Sequence, residues 1–258
     1  MAELAFAPVP GVRLGTAAAG IKRPGRDDLL LVEVVPGGTV AAVFTRNAFC
    51  AAPIVVAREH LAGAPRWLLI NSGNANAGTG ERGLTDARRC CDAVACLVGG
   101  AGAEVLPFST GVIGEYLPVE RIESVLPDVL ASLDENGWAR AARAIMTTDT
   151  RPKLVSRVVD IDGQRLTVTG IAKGAGMIHP NMATMLSFIG TDAAVEQGVL
   201  QACLARVADQ TFNNITVDGD TSTNDACVVV ASGASTVPKL TKDSDRFARF
   251  EQALGEVC

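Results

Sequence analysis

Thr184 stands at the start of an apolar run, Met185 to Ile189, whose composition is typical of a buried strand. Two glycines, a proline and the small residue Ala183 lie just upstream, so the backbone there can be held tightly and approached closely. If the peptide bond before Thr184 is cut, this residue carries a free α-amine with an unperturbed pKa of about 7.7–8.0. A general base is most effective when its pKa lies near the working pH. The position therefore predicts a threonine nucleophile with its own base.

An ordinary connection would have much the same composition, because a glycine-rich loop with Pro and Asn often leads into a buried strand. The other nucleophile classes have little to draw on. The chain has two histidines, His60 and His179, so a Ser-His or Cys-His pair has few places to come from. A threonine paired with an N-terminal amine needs no histidine.

Six blocks of sequence in chain order carry a resemblance to a known family. They are Thr45-Arg-Asn-Ala, Asn71-Ser-Gly-Asn-Ala-Asn-Ala, Ser109-Thr-Gly-Val-Ile-Gly, Met146-Thr-Thr-Asp-Thr, the run from Lys173 to Gly190, and Val217-Asp-Gly-Asp-Thr-Ser-Thr-Asn-Asp. Together they resemble the ornithine acetyltransferases, the bifunctional glutamate N-acetyltransferases of arginine biosynthesis. The run from Lys173 to Gly190 is similar to the self-cleavage segment of that family. The resemblance covers essentially the whole chain.

The resemblance implies an acyltransferase that first cuts itself. The Thr184 hydroxyl attacks the Ala183 carbonyl, and hydrolysis of the ester leaves two chains, 1–183 and 184–258. The freed amine then activates Thr184 to take the acetyl group of N-acetylornithine and pass it to glutamate, in ping-pong covalent catalysis. Two chains of each kind are expected to form a heterotetramer.

The resemblance also assigns roles to individual residues. Thr110 and Gly111 would form the oxyanion hole from a loop after a strand. Lys173 would bind a substrate carboxylate, and Thr150, with Thr184 itself, would contact the substrate. Thr147 and Thr148 offer hydroxyls close to Thr150, and the choice of Thr150 follows the family pattern. A plain turn at 109–111 and a merely solvated lysine are the alternatives.

Two other classes of function fit parts of the sequence. Self-cleaving aminopeptidases of a related fold use the same kind of nucleophile but transfer the acyl group to water. Gly78-Thr-Gly-Glu-Arg-Gly83 spells a nucleotide-binding fingerprint, but polar and small residues separate it from the preceding strand and the expected acidic residue is missing. We expect no cofactor and no metal, since Cys90, Cys91 and Cys96 point in different directions on a helix. The residues do not decide whether acetyl-CoA serves as a second acetyl donor.

The composition is that of a globular α/β protein. The chain has 258 residues, of which 48% are hydrophobic, and a net charge of −5 that argues against nucleic acid as a partner. The first ten residues lack the pattern of a signal or transit peptide, and no apolar run reaches the ~20 residues of a membrane span. We therefore expect a cytoplasmic protein with no membrane partner.

Strands and helices are predicted in mixed order, which indicates a layered α/β sandwich. The predicted elements are a hairpin of 29–35 with 39–45, a strand at 67–71, a helix at 81–98, a strand at 105–108, helices at 118–133 and 138–146, a hairpin of 153–160 with 165–171, a strand at 185–189, a helix at 196–212, a polar loop at 217–225, a strand at 226–231 and a helix at 246–258. Family members continue well past residue 258. The resemblance implies that their remaining part supplies an acidic residue and an asparagine to the site, so 184–258 is expected to be an incomplete second chain.

Overall fold

A computed structural model describes residues 4–176, 185–215, 221–242 and 244–258 of the chain. Within these ranges the fold consists of strands and helices in mixed order. The strands are β1 (Val12–Ala17), β2 (Leu29–Val34), β3 (Thr39–Phe44), β4 (Trp67–Asn74), β5 (Val105–Val112), β6 (Lys153–Ile161), β7 (Gln164–Lys173), β8 (Leu186–Thr191) and β9 (Ala226–Ala231). The helices are α1 (Ala52–His60), α2 (Gly80–Val98), α3 (Val119–Ala131), α4 (Trp138–Ala144), α5 (Gln197–Gln210) and α6 (Asp245–Val257).

Two sheets pack face to face in the middle of the molecule. One has the strand order β1-β2-β4-β5 and the other the order β3-β9-β8-β7-β6. The pairs β4–β5 and β8–β9 are parallel, and the remaining neighbours are antiparallel. The inner faces of both sheets share one apolar cluster. In it the rings of Phe108 and Phe188 meet edge-on, with their centroids 5.2 Å apart. Burial of these aromatic and aliphatic side chains holds the sheets together.

Helices cover the outer faces of the two sheets. On the four-stranded sheet, α2 and α3 bury Ala87 and Ile122 in a cluster with Leu69. On the five-stranded sheet, α5 and α6 bury Leu200 and Phe250 in a second cluster that includes residues of β7, β8 and β9. The result is a four-layered α/β arrangement, as the mixed order of elements predicted.

The predicted hairpin of 29–35 with 39–45 is wrong, because its two strands lie in different sheets. β2 runs between β1 and β4, whereas β3 pairs with β9. All six residues of β2 are buried, as befits a central strand that needs a partner on each edge. The turn after it carries the chain from one sheet to the other. There a Cβ on Gly38 would lie 2.5 Å from Cγ2 of Val34, so the sheets approach closely at a residue without a side chain.

The other predicted hairpin is confirmed. β6 pairs with β7 from Lys153↔Ala172 to Ile161↔Gln164. Asp162 and Gly163 between them have φ values of 54° and 80°, the left-handed conformations that a two-residue hairpin turn requires. The five predicted helices also form, with ends that differ from the expected ones by up to two residues. None of the helices in the described ranges is long and apolar enough to cross a membrane.

Candidate active site

A cavity of about 520 Å³ lies where β5 of one sheet and β7 of the other end. Thr110, Gly111 and Lys173, which the sequence placed in one site, all lie on its wall. Thr110 and Gly111 come from β5, and Lys173 is the last residue of β7. The face-to-face packing of the two sheets therefore brings together groups that are far apart in the sequence.

Thr110 and Gly111 belong to β5, and the expectation that they form a loop after the strand is wrong. Their partners in β4 are Ser72 and Gly73, so the parallel ladder extends through both residues. Gly111 has φ = +139°, and a Cβ there would lie 2.2 Å from the carbonyl carbon of Gly73. The sequence pattern missed this pairing because polar and small residues seldom extend a strand without a tertiary partner. The close backbone contact fixes Gly111 on the cavity wall.

Asn224 ties the loop before β9 to this strand end. Its side-chain amide donates to the carbonyl oxygens of Ala75, at 2.7 Å, and of Ser109, at 3.0 Å, and the residue is 5% exposed. The preceding part of the loop is anchored separately, since the Thr45 hydroxyl donates to the Ser222 carbonyl at 2.8 Å. Buried hydrogen bonds of this kind restrict the backbone around Thr110.

Asp149 holds the segment 146–150 against the end of β7. Its Oδ1 accepts from the Lys153 ammonium at 2.5 Å and from the Gly174 N–H at 2.9 Å, and its Oδ2 accepts from the Thr147 N–H at 3.2 Å. Burial raises the pKa of Asp149, but these hydrogen bonds outweigh it and keep the pKa below its ordinary value. The Asp149 side chain is buried and, with its lowered pKa, ionised near neutral pH, and it links Thr147 on the cavity wall to Gly174, the residue after Lys173.

Lys173 is partly buried on the cavity wall, and desolvation by the surrounding protein lowers the pKa of its ammonium. The carboxyl groups of Asp225 and Asp149 oppose this effect and favour the charged form. A half-buried cation on a cavity wall attracts a carboxylate ligand more strongly than a fully solvated one, since the lower local dielectric strengthens the pairing.

Asp225 is a buried acid that the sequence did not single out. It is 3% exposed, and burial raises its pKa to about 8. Lys173 and hydrogen bonds from Ser222 and the Met185 N–H act in the opposite direction. The neighbouring strand pairing explains its position, because the Ala226 N–H donates to the Met185 carbonyl at 3.1 Å. The carboxyl group of Asp225, whose pKa lies near neutral pH, is therefore next to Met185.

The proposed nucleophile and cleavage site, Thr184 and Ala183, lie outside the described residues, so their roles stay predictions. Thr147 and Thr148 line the cavity, whereas Thr150, exposed like Thr148, is not among the residues of the described wall. The substrate contact at Thr150 stays a prediction, with two hydroxyl-bearing residues beside it on the cavity wall.

The glycine fingerprint at 78–83 leaves little space for a phosphate. The Thr79 hydroxyl donates to Oδ1 of Asn76 at 2.8 Å, and the Asn76 amide donates to the Gly83 carbonyl at 2.9 Å. A Cβ on Gly83 would lie 2.0 Å from the Thr79 hydroxyl oxygen, so side chains already fill the start of α2. Within the described ranges, no group of three or more His, Cys, Asp or Glu side chains could hold a metal ion.

The ArgJ family profile matches residues 13–258, nearly the whole chain. The chain belongs to the ArgJ family. A curated family member, the arginine biosynthesis bifunctional protein ArgJ of Methylococcus capsulatus, is 60% identical over 257 residues. The match covers 100% of this chain and 63% of that protein. This chain therefore spans under two thirds of the length of its curated relative.

Solved structures of the ArgJ family show the same fold. ArgJ of Bacillus halodurans is 36% identical with a TM-score of 0.62, over 69% of this chain and 92% of that one. An ornithine acetyltransferase of Mycobacterium tuberculosis, solved in complex with ornithine, is 34% identical with a TM-score of 0.59, over 67% of this chain and 93% of that one. An aminopeptidase of Ochrobactrum anthropi described as a variant of the Ntn-hydrolase fold is 12% identical with a TM-score of 0.57, over 99% and 85% of the two chains, which shows likeness of fold alone.

Proposed function

We propose that this chain forms the acetyl-transferring site of a glutamate N-acetyltransferase that moves acetyl from N-acetylornithine to glutamate. The observation that carries the proposal is the single cavity lined by Thr110, Gly111 and Lys173. Such a wall offers oxyanion donors and a carboxylate partner within one cavity. The solved ornithine complex of a family member supports an amino acid with an α-carboxylate as the ligand class.

The chemistry that this proposal assigns begins with self-cleavage. The Thr184 hydroxyl attacks the Ala183 carbonyl, an ester forms, and water releases residues 1–183 from the chain that begins at Thr184. The α-amine of Thr184 then accepts the hydroxyl proton as Oγ attacks the acetyl carbonyl of N-acetylornithine. Ornithine leaves with a proton from that amine, and the amine of glutamate attacks the acetyl ester in the same way.

Thr110 and Gly111 act at the tetrahedral stage of each step. Donors fixed by the β4–β5 ladder need no reorganisation when the oxyanion forms, and losing one such donor typically costs about 3–4 kcal/mol. Lys173 holds the substrate α-carboxylate, Thr147 and Thr148 offer hydroxyls on the same wall, and Thr150 lies next to them in the sequence as the substrate contact that the family pattern implies. Four chains, two of each kind, would make up the assembled enzyme.

The test of the nucleophile is the intact mass of the purified full-length protein beside its Thr184→Ala variant. We expect two chains in the wild type, the second beginning at Thr184, and one uncleaved, inactive chain in the variant. A cleaved Thr184→Ala protein would refute the assignment, and Thr184→Ser, which keeps a hydroxyl and an α-amine, serves as the conservative control.

The acceptor distinguishes transfer from hydrolysis. We expect N-acetylglutamate to accumulate only when glutamate accompanies N-acetylornithine. Release of acetate at the same rate with and without glutamate would favour an amidohydrolase of the aminopeptidase type. Replacing N-acetylornithine by acetyl-CoA in the same assay decides whether the enzyme takes both donors, and native mass spectrometry decides the number of chains.

A further inference from the structure

Lys22 is a second cation on the wall of the cavity, and neither the predicted site nor the mechanism uses it. It lies in the loop between β1 and β2 and shares the cavity wall with Lys173. The Asp28 carboxylate, 1% exposed, fixes this loop by accepting backbone N–H bonds from Ala19, Ile21 and Lys22 at 2.6–2.9 Å. The loop also packs closely against β4, since a Cβ on Gly73 would lie 2.9 Å from the Lys22 backbone nitrogen.

The ammonium of Lys22 is partly satisfied by protein. It donates to the carbonyl oxygens of Met146 and Thr147, the latter at 3.0 Å. An ammonium has three N–H bonds, so two acceptors in the described part of the chain leave one N–H for a ligand on the cavity side. The carbonyls of Met146 and Thr147 therefore hold the ammonium in place at the cavity wall.

The charged residues on the described cavity wall are Lys22, Lys173 and Glu115. Burial and the nearby guanidinium of Arg26 lower the pKa of Lys22, and Asp149 acts in the opposite direction. A bound carboxylate would stabilise the charged form of Lys22, just as an opposite charge does in any enclosed site. Two cations in one cavity fit a ligand with two carboxylates better than a ligand with one.

We propose that Lys22 binds the side-chain carboxylate of the acceptor amino acid while Lys173 binds its α-carboxylate, so that the pair selects a dicarboxylic acceptor. This inference rests on the proposed function, because it assigns the acceptor half of that reaction. N-acetylornithine carries a cation at the corresponding end and gains nothing from Lys22. The residue should therefore matter for the second half of the reaction more than for the first.

The experiment compares the two half-reactions in the full-length protein and its Lys22→Gln variant. Ornithine release in a single turnover reports the first half, and the KM for glutamate at saturating N-acetylornithine reports the second. We expect the ratio of glutamate kcat/KM to ornithine release rate to fall about ten- to a hundredfold, as for one lost charge-assisted hydrogen bond. Lys22→Arg should keep the wild-type preference for glutamate over glutamine, and Lys22→Gln should lose it. Lys239→Gln, at an exposed lysine outside the cavity wall, should change neither half-reaction.

An equal fall in both half-reactions would overturn the proposal, because it would show that Lys22 only positions the carbonyls of Met146 and Thr147. Unchanged selectivity between glutamate and glutamine would overturn it as well. A calorimetric titration with glutamate and glutamine separates this failure from that of the proposed function. If the wild type transfers no acetyl but binds glutamate more tightly than the Lys22→Gln variant does, the acceptor site is supported and the proposed reaction is refuted. Equal affinities of the two proteins for glutamate would refute the acceptor site itself.

Discussion

Asp149→Asn is the change whose effect follows most directly from described contacts. The substitution keeps one oxygen, which can still accept from Gly174, and places an amide where Oδ2 accepts from the Thr147 N–H. A buried N–H left without its acceptor costs about 1–3 kcal/mol. The ion pair with Lys153 adds about 0–1 kcal/mol, because the lysine side chain is 44% exposed. The sum is about 1–4 kcal/mol of unfolding free energy.

Thermal unfolding followed by circular dichroism measures this effect. A central value of about 2.5 kcal/mol corresponds to a fall in Tm of about 5–10 °C for a chain of this size. Asp134→Asn is the matched control, because Asp134 also has a lowered pKa but is exposed and bonds locally to Asn136. We expect its Tm to stay within about 1 °C of the wild type, as for most surface substitutions.

The pH dependence gives the same reasoning a second test. The pKa of Asp149 is lower in the folded protein than in the unfolded chain, so the carboxylate stabilises the fold fully above the unfolded value of about 3.9. This contribution is lost as the pH falls through the folded value. The Tm difference between wild type and Asp149→Asn should be constant from pH 8 to 5 and shrink below about pH 4. A difference no larger than that of Asp134→Asn would refute the assigned hydrogen-bond network.

Three further changes test other parts of the site. Gly111→Ala should lower Tm and reduce acetyl transfer about a hundredfold, because the new Cβ would collide with the backbone of β4. Gly114→Ala is the control, since Gly114 also has a positive φ but has open space around it. Asn224→Ala removes the hydrogen bonds that the side-chain amide donates to Ala75 and Ser109 and the one that it accepts from the Thr223 hydroxyl. The variant should reduce kcat more than it raises KM, and an unchanged kcat would show that other contacts hold the end of β5. Asp225 keeps its proton in the folded protein up to about pH 8, whereas the unfolded chain releases it near pH 4. The stability of the wild type should therefore fall as the pH rises from about 4 to about 8, and that of Asp225→Asn should not. Equal Tm profiles of the two proteins from pH 5 to 8 would contradict this.

Local sequence predicted the elements whose pattern is complete within one segment. The helix at 81–98 and the hairpin of 153–160 with 165–171 formed because periodic apolar residues and an Asp-Gly turn specify them without outside help. The hairpin predicted around Pro36 failed because the choice of partner strand depends on the whole sheet. β2 and β3 each found partners elsewhere, with β9 lying almost two hundred residues from β3.

The same limit applies to the candidate site. Thr110, Gly111 and Lys173 could be named from motifs, and the structure brings them to one cavity. Lys22 and Asp149 could not be found this way, because the first lies in a polar loop and the second among several hydroxyl-bearing residues. Their importance comes from burial and from bonds to distant backbone groups, which local patterns do not encode.

The strand order of the larger sheet determines what a cut at 183/184 would do to the molecule. β8 and β9, from the segment after the cut, lie between β3 and β7, from the segment before it. Each boundary is a ladder of six residue pairs, from Thr39↔Ala231 to Phe44↔Ala226 on one side and from Val168↔Thr191 to Lys173↔Leu186 on the other. The two products of cleavage would thus be interleaved in one sheet and would separate only on unfolding. A tag on either product should recover both under native conditions.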